Sequence, residues 1–189
     1  MPSRAFASTY SSTIEVGCNS MQIMIFTTGG TIDKVYFDGK GGYEVGAPMV
    51  RDILSHGRAE DGIQVRELLR KDSLEMTEAD RLAIRDAVAS WEGSRVVVTH
   101  GTDTMVETAR VLSEVSHKTI VLTGALQPGR FADSDASFNL GMAVAAVQTL
   151  APGVYLAANG RLFTADRVRK NRELNRFEGP DDPVPSGSV

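Results

Sequence analysis

Residues 95–124 read RVVVTHGTDTMVETARVLSEVSHKTIVLTG, and this stretch indicates the fold class. Two apolar runs, residues 95–98 and 119–122, flank a segment with helical periodicity over residues 103–115. Neither run alternates with polar side chains, which is typical of strands that are covered on both faces of a parallel sheet. The stretch therefore predicts a strand–helix–strand unit whose helix covers the sheet.

Further strands and helices alternate on both sides of this unit. Additional strands are predicted at residues 22–26, 63–69 and 154–157. Helices are predicted from Pro48 to Gly57, from Thr77 to Trp91 and over residues 137–150. Pro48 is a favoured first helical residue, and the TEAD sequence at Thr77 is a capping-box pattern. We therefore predict an α/β fold with an open parallel, flavodoxin-like sheet and helices on both faces.

The chain length of 189 residues is typical of one well-buried α/β domain. We expect this domain to cover residues 21–179, followed by a tail at residues 180–189. Residues 1–20 are rich in Ser and Thr and lack the apolar core of a secretory signal. They are interpreted as a disordered N-terminal extension.

Composition and charge exclude several classes of partner. A net charge of −4 gives no reason to expect nucleic acid. The most apolar stretch, residues 141–158, is interrupted by Gln148 and Pro152, so no membrane-spanning helix is expected. Cys18 is the single cysteine, which excludes an internal disulfide and fits a reducing compartment. The predicted location is therefore the cytoplasm.

Polar clusters follow the first four predicted strands. They are residues 27–31 (TTGGT), 72–73 (DS), 99–103 (THGTD) and 123–125 (TGA). In open α/β sheets, ligands bind outside the carboxyl ends of the strands, so these loops are expected to meet at one crevice. The Gly-rich segment at residues 33–46 is long for a loop in a compact domain, which is typical of a functional lid or of a disordered segment.

Each of these features also has a purely structural interpretation. TTGGT could be a tight turn or an anion-binding turn, although it matches neither common nucleotide-binding pattern. Thr102 and Asp103 could cap a helix, and His100 is at least as consistent with a satisfied core histidine as with a base. The basic residues 167–176 are interpreted as a solvated helical face, with Lys170 alone pointing inward.

Two blocks in this order resemble the N-terminal catalytic domain of the bacterial-type L-asparaginase family. They are IFTTGGTID at residues 25–33 and VVVTHGTDTMVETA at residues 96–109. Shorter matching blocks are YEVG at Tyr43, KDSLEM around Ser73, TGALQP at Thr123 and RVRKN around Lys170. The resemblance extends from Met21 to about Phe177, and the pairing of TGGTI with HGTDTM makes it specific.

The resemblance implies a role for each matching residue. Thr28 occupies the position of the nucleophile, and Tyr43 that of a mobile-loop tyrosine that activates it. Thr102, Asp103 and Lys170 match a Thr-Lys-Asp catalytic group. Ser73 and Asp103 match residues that hold the substrate's α-carboxylate and α-amino groups, with Thr102 and with Gly30 in the turn beside the nucleophile. The implied reaction converts L-asparagine into L-aspartate and ammonia through an acyl-enzyme, with no metal and no organic cofactor.

The sequence departs from the family pattern in two respects. Long members carry a smaller C-terminal domain that lends an acidic group to a neighbouring subunit, and this chain resembles the short, single-domain forms that lack it. A homodimer or homotetramer is expected. Leu74 replaces a polar residue, which leaves preference for asparagine or glutamine open. The alternatives are therefore a glutaminase-type amidohydrolase, an inactive amino-acid-binding domain or, more weakly supported, a nucleotide-binding domain built on TTGGT.

Overall fold

The computed structural model describes residues 22–37 and 42–182, with the backbone alone at Phe37. The predictions for residues 1–21, for the glycines at positions 39 and 41 and for residues 183–189 lie outside this part of the chain. In order, the elements are β1 (Ile23–Gly29), β2 (Lys34–Phe37), β3 (Gly42–Val45), α1 (Val50–His56), β4 (Ile63–Lys71), α2 (Glu78–Ser90), β5 (Arg95–Thr99), α3 (Met105–Leu112), β6 (Thr119–Thr123), α4 (Ala136–Thr149), β7 (Gly153–Ala158), β8 (Arg161–Thr164), β9 (Arg169–Asn171) and β10 (Arg176–Glu178).

The central sheet has the strand order β4-β1-β5-β6-β7-β8. The first five of these strands are parallel, and their order is that of a flavodoxin-like sheet. Strand β8 is antiparallel to β7 at one edge, so the sheet is mixed and mostly parallel. The predicted α/β fold class is confirmed, and β8 is an addition that the sequence patterns did not predict.

Both faces of the sheet are covered, as the unbroken apolar runs predict. On β5, Val96 and Val98 pack with Ile84 of α2 and Met105 of α3. Val97 points to the opposite face, which is covered by α1 and α4. Each buried side chain of this size contributes about 1.5–3 kcal/mol relative to an exposed one, so both layers contribute to the stability of the sheet.

Local sequence signals set the helix boundaries. Thr77 caps α2: its Oγ1 accepts from the Asp80 N–H at 3.3 Å, and Asp80 Oδ2 accepts from the Thr77 N–H at 2.8 Å. Helix α3 begins two residues later than predicted, because residues 102–104 form a turn ahead of it. The longest described helix, α4, has 14 residues, and no helix in the described ranges has the length and apolarity needed to cross a bilayer.

Two segments differ from the predictions. The ends of residues 33–46, predicted as a loop, pair as an antiparallel β2–β3 hairpin in their described part. The prediction of a helical face at residues 167–176 is wrong, because β9 and β10 pair with each other and place Lys170 opposite Phe177. Arg169 and Arg176 both bind the buried carboxylate of Glu178, an arrangement that needs neighbouring strands rather than successive helical turns.

Candidate active site

The loops after four parallel strands meet at the carboxyl edge of the sheet. Thr27, Thr99 and Thr123 lie side by side on β1, β5 and β6. Beyond them, Gly30 packs directly against Gly101, and Gly101 packs against the side chain of Ser73. A side chain at either glycine would overlap these neighbours, and Gly30 also has a φ of 85°, which favours glycine. Close backbone packing therefore holds the TTGGT, Ser73 and HGTD segments together.

Thr28 is the penultimate residue of strand β1 and has no solvent exposure. Its Oγ1 donates a hydrogen bond to the Thr99 carbonyl at 2.9 Å, which docks the side chain on the end of β5. The lone pairs of the hydroxyl oxygen remain available to a second partner. This hydrogen bond places the Thr28 hydroxyl against Thr99, which lies three residues before Thr102. The two threonines, Thr28 and Thr102, are therefore at the same edge of the sheet.

Lys170 extends from β9 to the loop that follows β5. Its Nζ lies 3.4 Å from Oγ1 of Thr102, a residue that is 8% exposed. Burial lowers the pKa of the Lys170 amine below 10.5, with Arg172 acting in the same direction, whereas Asp103 and Asp135 oppose the change. The site thus combines a nearly buried hydroxyl with an amine that gives up its proton more readily than a free lysine does.

Ser73 begins a 3₁₀ turn after β4 that is tied to two other parts of the site. Its carbonyl accepts from Thr104 Oγ1 at 2.7 Å, which joins the turn to the HGTD loop. Asp72 accepts from the Leu74 N–H at 3.0 Å and pairs with Lys34 of β2 at 2.7 Å. Leu74, the apolar residue that departs from the family pattern, is 65% exposed, so its side chain faces solvent.

Tyr43 is the one proposed site residue that remains away from the others. Its ring lies edge-to-face against Tyr36 across the β2–β3 hairpin, with centroids 5.6 Å apart, and is about half exposed. Within residues 22–37 and 42–182, no hydrogen bond joins it to Thr28. The structure therefore brings together Thr28, Gly30, Ser73, Thr102, Asp103 and Lys170, and leaves Tyr43 on the hairpin.

His100 is a satisfied core residue. Its Nδ1 lies 2.8 Å from the Gly101 carbonyl, which can only accept, so Nδ1 carries the proton. Nε2 then accepts from Thr108 Oγ1, also at 2.8 Å. Complete burial lowers the pKa of the imidazole to about 4. A neutral ring with both nitrogens occupied supports the backbone of the HGTD loop and leaves no nitrogen free for a reacting group.

Replacing Thr108 with valine tests this structural role. The side chain keeps its shape but no longer donates to His100 Nε2, which becomes a buried acceptor without a partner. We expect a loss of about 1–3 kcal/mol in the free energy of unfolding, measured by urea denaturation. Turnover per folded molecule should stay close to that of the wild type, and a loss of turnover with unchanged stability would contradict the assignment.

Asp33 is a feature of the hairpin base that the sequence patterns did not identify. It is buried, its Oδ1 accepts from the Met49 N–H at 2.9 Å, and its Oδ2 has no partner among the described residues. Burial raises the pKa of this carboxyl from 3.8 to about 6. The group therefore stabilises the fold fully below about pH 4, and this contribution is lost as the pH rises through about 6.

An Asp33→Asn variant should remove this pH dependence, because the amide oxygen still accepts from Met49 and never ionises. Relative to wild type, we expect the variant to gain about 3 kcal/mol in unfolding free energy between about pH 4 and about pH 7.5. The titration of His100 raises the free energy of unfolding over this range, but it does so equally in wild type and in Asp33→Asn. Asp80→Asn is the matched control: Lys71 and Thr77 lower the pKa of Asp80 to about 2, so Asp80 stays ionised across this pH range and the stability difference from wild type should stay nearly constant. A parallel pH profile for wild type and Asp33→Asn would contradict the prediction.

Metal-binding potential is limited in the described ranges. Within them, no group of three or more His, Cys, Asp or Glu side chains is placed to hold a metal ion. The chemistry that these residues offer is that of hydroxyls, an amine and carboxylates.

Comparisons with known proteins agree with this architecture. Residues 22–184 match the family model described as "Asparaginase, N-terminal". The L-asparaginase of Thermococcus kodakarensis is 34% identical in an alignment of 174 residues that covers 86% of this chain and 52% of that protein. Its structure, that of a thermostable L-asparaginase, superposes with a TM-score of 0.74, at 33% identity over 86% of this chain and 52% of that chain.

Two further relatives cover similar shares. The structure of L-asparaginase I from Vibrio cholerae has a TM-score of 0.72 and is 31% identical over 86% of this chain and 52% of that chain. A glutaminase-asparaginase of Pseudomonas fluorescens is 28% identical in an alignment of 195 residues that covers 90% of this chain and 52% of that protein. The chain thus spans about half the length of these relatives. The family match covers most of the sequence, and the chain therefore belongs to the asparaginase family, in the region of its N-terminal domain.

Proposed function

We propose that this chain hydrolyses the side-chain amide of L-asparagine to L-aspartate and ammonia, with Thr28 as the nucleophile. The observation that carries the proposal is the contact between Lys170 Nζ and Thr102 Oγ1, 3.4 Å apart at a nearly buried position. Thr28 is docked by its hydrogen bond to Thr99, three residues before Thr102. Two hydroxyls and an amine of lowered pKa therefore border the same end of β5.

In the proposed acylation step, Thr28 Oγ1 attacks the side-chain carbonyl carbon of asparagine. A threonine hydroxyl is a weak nucleophile at neutral pH, so its proton must pass to a base as the bond forms. We assign this role to Tyr43, after movement of the β2–β3 hairpin toward the sheet edge. Backbone N–H groups near Thr102 would stabilise the oxyanion. The base then returns this proton to the amide nitrogen, and the intermediate expels ammonia and leaves an aspartyl ester on Thr28.

In the proposed second step, water hydrolyses this ester and releases L-aspartate. Neutral Lys170 accepts a proton from Thr102, which in turn accepts one from the attacking water, and the proton is returned to Thr28 Oγ1 as the ester bond breaks. Burial favours the neutral amine and so supports this role. Ser73 and Asp103 are proposed to hold the α-carboxylate and α-amino groups of the substrate, with Gly30 and Thr102 lining the site. A bound substrate in this position converts the attack into an effectively unimolecular step.

Ammonia release by the purified protein from L-asparagine and L-glutamine, assayed side by side, tests the proposal. We expect turnover of asparagine with a higher kcat/KM than that of glutamine. A preference for glutamine would favour the second candidate, a glutaminase-type enzyme, which the similarity to a glutaminase-asparaginase and the unusual Leu74 support. Release from neither amide by folded protein would reject both, and a melting-temperature rise with L-aspartate would then favour an inactive amino-acid-binding domain.

We further propose that the chain forms a homodimer or homotetramer. An apolar groove of about 480 Å³ lies between α1 and α4 and is lined by Ile53, Leu54, Leu140 and Val144. Phe138, also on α4, is 63% exposed. Burial of such surface in a subunit interface would remove it from water. Size-exclusion chromatography with light scattering should give a dimer or tetramer, and a monomer at micromolar concentration would reject this proposal.

The proposed location is the cytoplasm. The sequence contains one cysteine and therefore no internal disulfide pair, which is compatible with a reducing compartment. Cell fractionation with an antibody against the chain should find it in the cytoplasmic fraction, and recovery from an extracytoplasmic fraction would contradict this location.

A further inference from the structure

Lys170 has a second partner, which neither the sequence patterns nor the resemblance indicated. Its Nζ donates to Asn175 Oδ1 at 2.9 Å, a shorter distance than the 3.4 Å to Thr102 Oγ1. Nζ also lies 4.8 Å from the centroid of the Phe177 ring. Because a protonated lysine can only donate, the amide oxygen of Asn175, rather than its nitrogen, faces Nζ.

Asn175 reaches this position because of its backbone conformation. It precedes β10 with a φ of 46°, in the left-handed region that asparagine and glycine adopt more readily than other residues. The turn before it is closed by a hydrogen bond from the Leu174 N–H to Asn171 Oδ1 at 3.0 Å. The β9–β10 hairpin therefore presents the Asn175 side chain to Lys170 as part of its own fold.

Glu178, whose side chain has no solvent exposure, joins the two strands of the hairpin that carries Lys170 and Asn175. This carboxylate pairs with Arg169 at 2.8 Å and Arg176 at 2.9 Å, and accepts from Asn171 Nδ2 at 3.0 Å. Arg169 and Asn171 are the residues on either side of Lys170. A second attachment joins Arg172 Nη2 to the Asp103 carbonyl at 3.3 Å, so the hairpin is held against the loop of Thr102.

We propose that Asn175 is a positioning residue that holds the Lys170 amine against Thr102, an inference that rests on the function proposed above. The lysine side chain has several rotatable bonds, so a free Nζ would sample many positions. One N–H donated to Asn175 restricts it. When the amine is neutral, this same bond leaves the nitrogen lone pair free to face the Thr102 hydroxyl and accept its proton.

Two substitutions separate positioning from mere stability. Asn175→Gly keeps the left-handed turn and removes the amide, and we expect kcat to fall about tenfold with KM changed less than about twofold. Asn175→Asp keeps the shape of the side chain and adds a carboxylate beside Nζ. This carboxylate raises the pKa of Lys170, as Asp103 and Asp135 do, and opposes the effect of Arg172. It should move the acidic limb of the kcat–pH profile about one pH unit upward. Asn159→Asp, at another left-handed asparagine in the β7–β8 turn, adds the same charge and should leave the profile unchanged.

Competitive acetylation of Lys170, mapped by mass spectrometry across pH, gives a readout that needs no turnover. We expect the labelling midpoint of Lys170 to rise by about one pH unit in Asn175→Asp and not in Asn159→Asp. If the wild type is inactive but the midpoint shifts, the contact stands and the proposed function fails. If the wild type is active, and Asn175→Gly and Asn175→Asp keep its kcat, pH profile and labelling midpoint, the positioning role is overturned.

Discussion

Replacing Thr28 with valine should lower kcat for L-asparagine by about 10³-fold or more, to the limit of the ammonia assay. Valine keeps the branched shape in a site with no solvent exposure but has no oxygen to form the aspartyl ester. It also leaves the Thr99 carbonyl without its donor, which should cost about 1–2 kcal/mol of stability. Urea denaturation would show that the variant remains folded, so that the lost turnover reports chemistry.

The matched control for this variant is Thr27→Val. Thr27 is equally buried, occupies the preceding position on β1 and has an Oγ1 without a hydrogen-bond partner in the described ranges. Removing that hydroxyl should leave turnover near the wild-type value. Comparable activity of the two variants would contradict the assignment of Thr28 as nucleophile.

The second large effect is expected for Lys170→Met, with a fall in kcat of about 10²–10⁴-fold. Methionine is unbranched and apolar, so it can keep the contact with Phe177 while losing the amine that accepts a proton from Thr102. In the wild type, activity should rise as the pH increases through the pKa of Lys170, because the neutral amine is the base. This rise should be absent from the residual activity of the variant.

Lys118→Met provides a control with a similar environment. Lys118 is also half-buried, its pKa is also lowered by burial, and its Nζ donates to the carbonyls of Trp91 and Gly93. It precedes β6, at the opposite end of the sheet from Thr102. We expect this variant to lose stability without losing turnover per folded molecule. If both lysine variants lost turnover equally, a specific role for Lys170 would be untenable.

The fold was predictable where local sequence determines it. The unbroken valines at residues 96–98 indicate a strand buried on both faces, and the capping box at Thr77 marks a helix start. The β9–β10 hairpin was not predictable in this way. Its strands have three residues each, and the pattern of arginines around Lys170 also fits a solvated helix. What decides between the two is Glu178, a distant partner whose burial local periodicity does not reveal.

The candidate site also contains residues that the sequence patterns place and residues that they do not. Thr28 lies at the end of a strand, and Ser73, Thr102 and Asp103 lie just beyond one, so the rule for the carboxyl ends of parallel strands places them at one edge. Lys170 was singled out through the resemblance, and its partner Asn175 depends on a left-handed turn between two short strands. Asp33 was missed because its burial arises from packing against α1 rather than from a sequence pattern.

The most direct test of the central claim is acid quenching of the protein during turnover of L-asparagine, followed by peptide mapping with mass spectrometry. The mechanism predicts an aspartyl ester on the peptide that contains Thr28, absent from Thr28→Val. An ester on the peptide that contains Thr102 instead, or undiminished turnover by Thr28→Val, would contradict it.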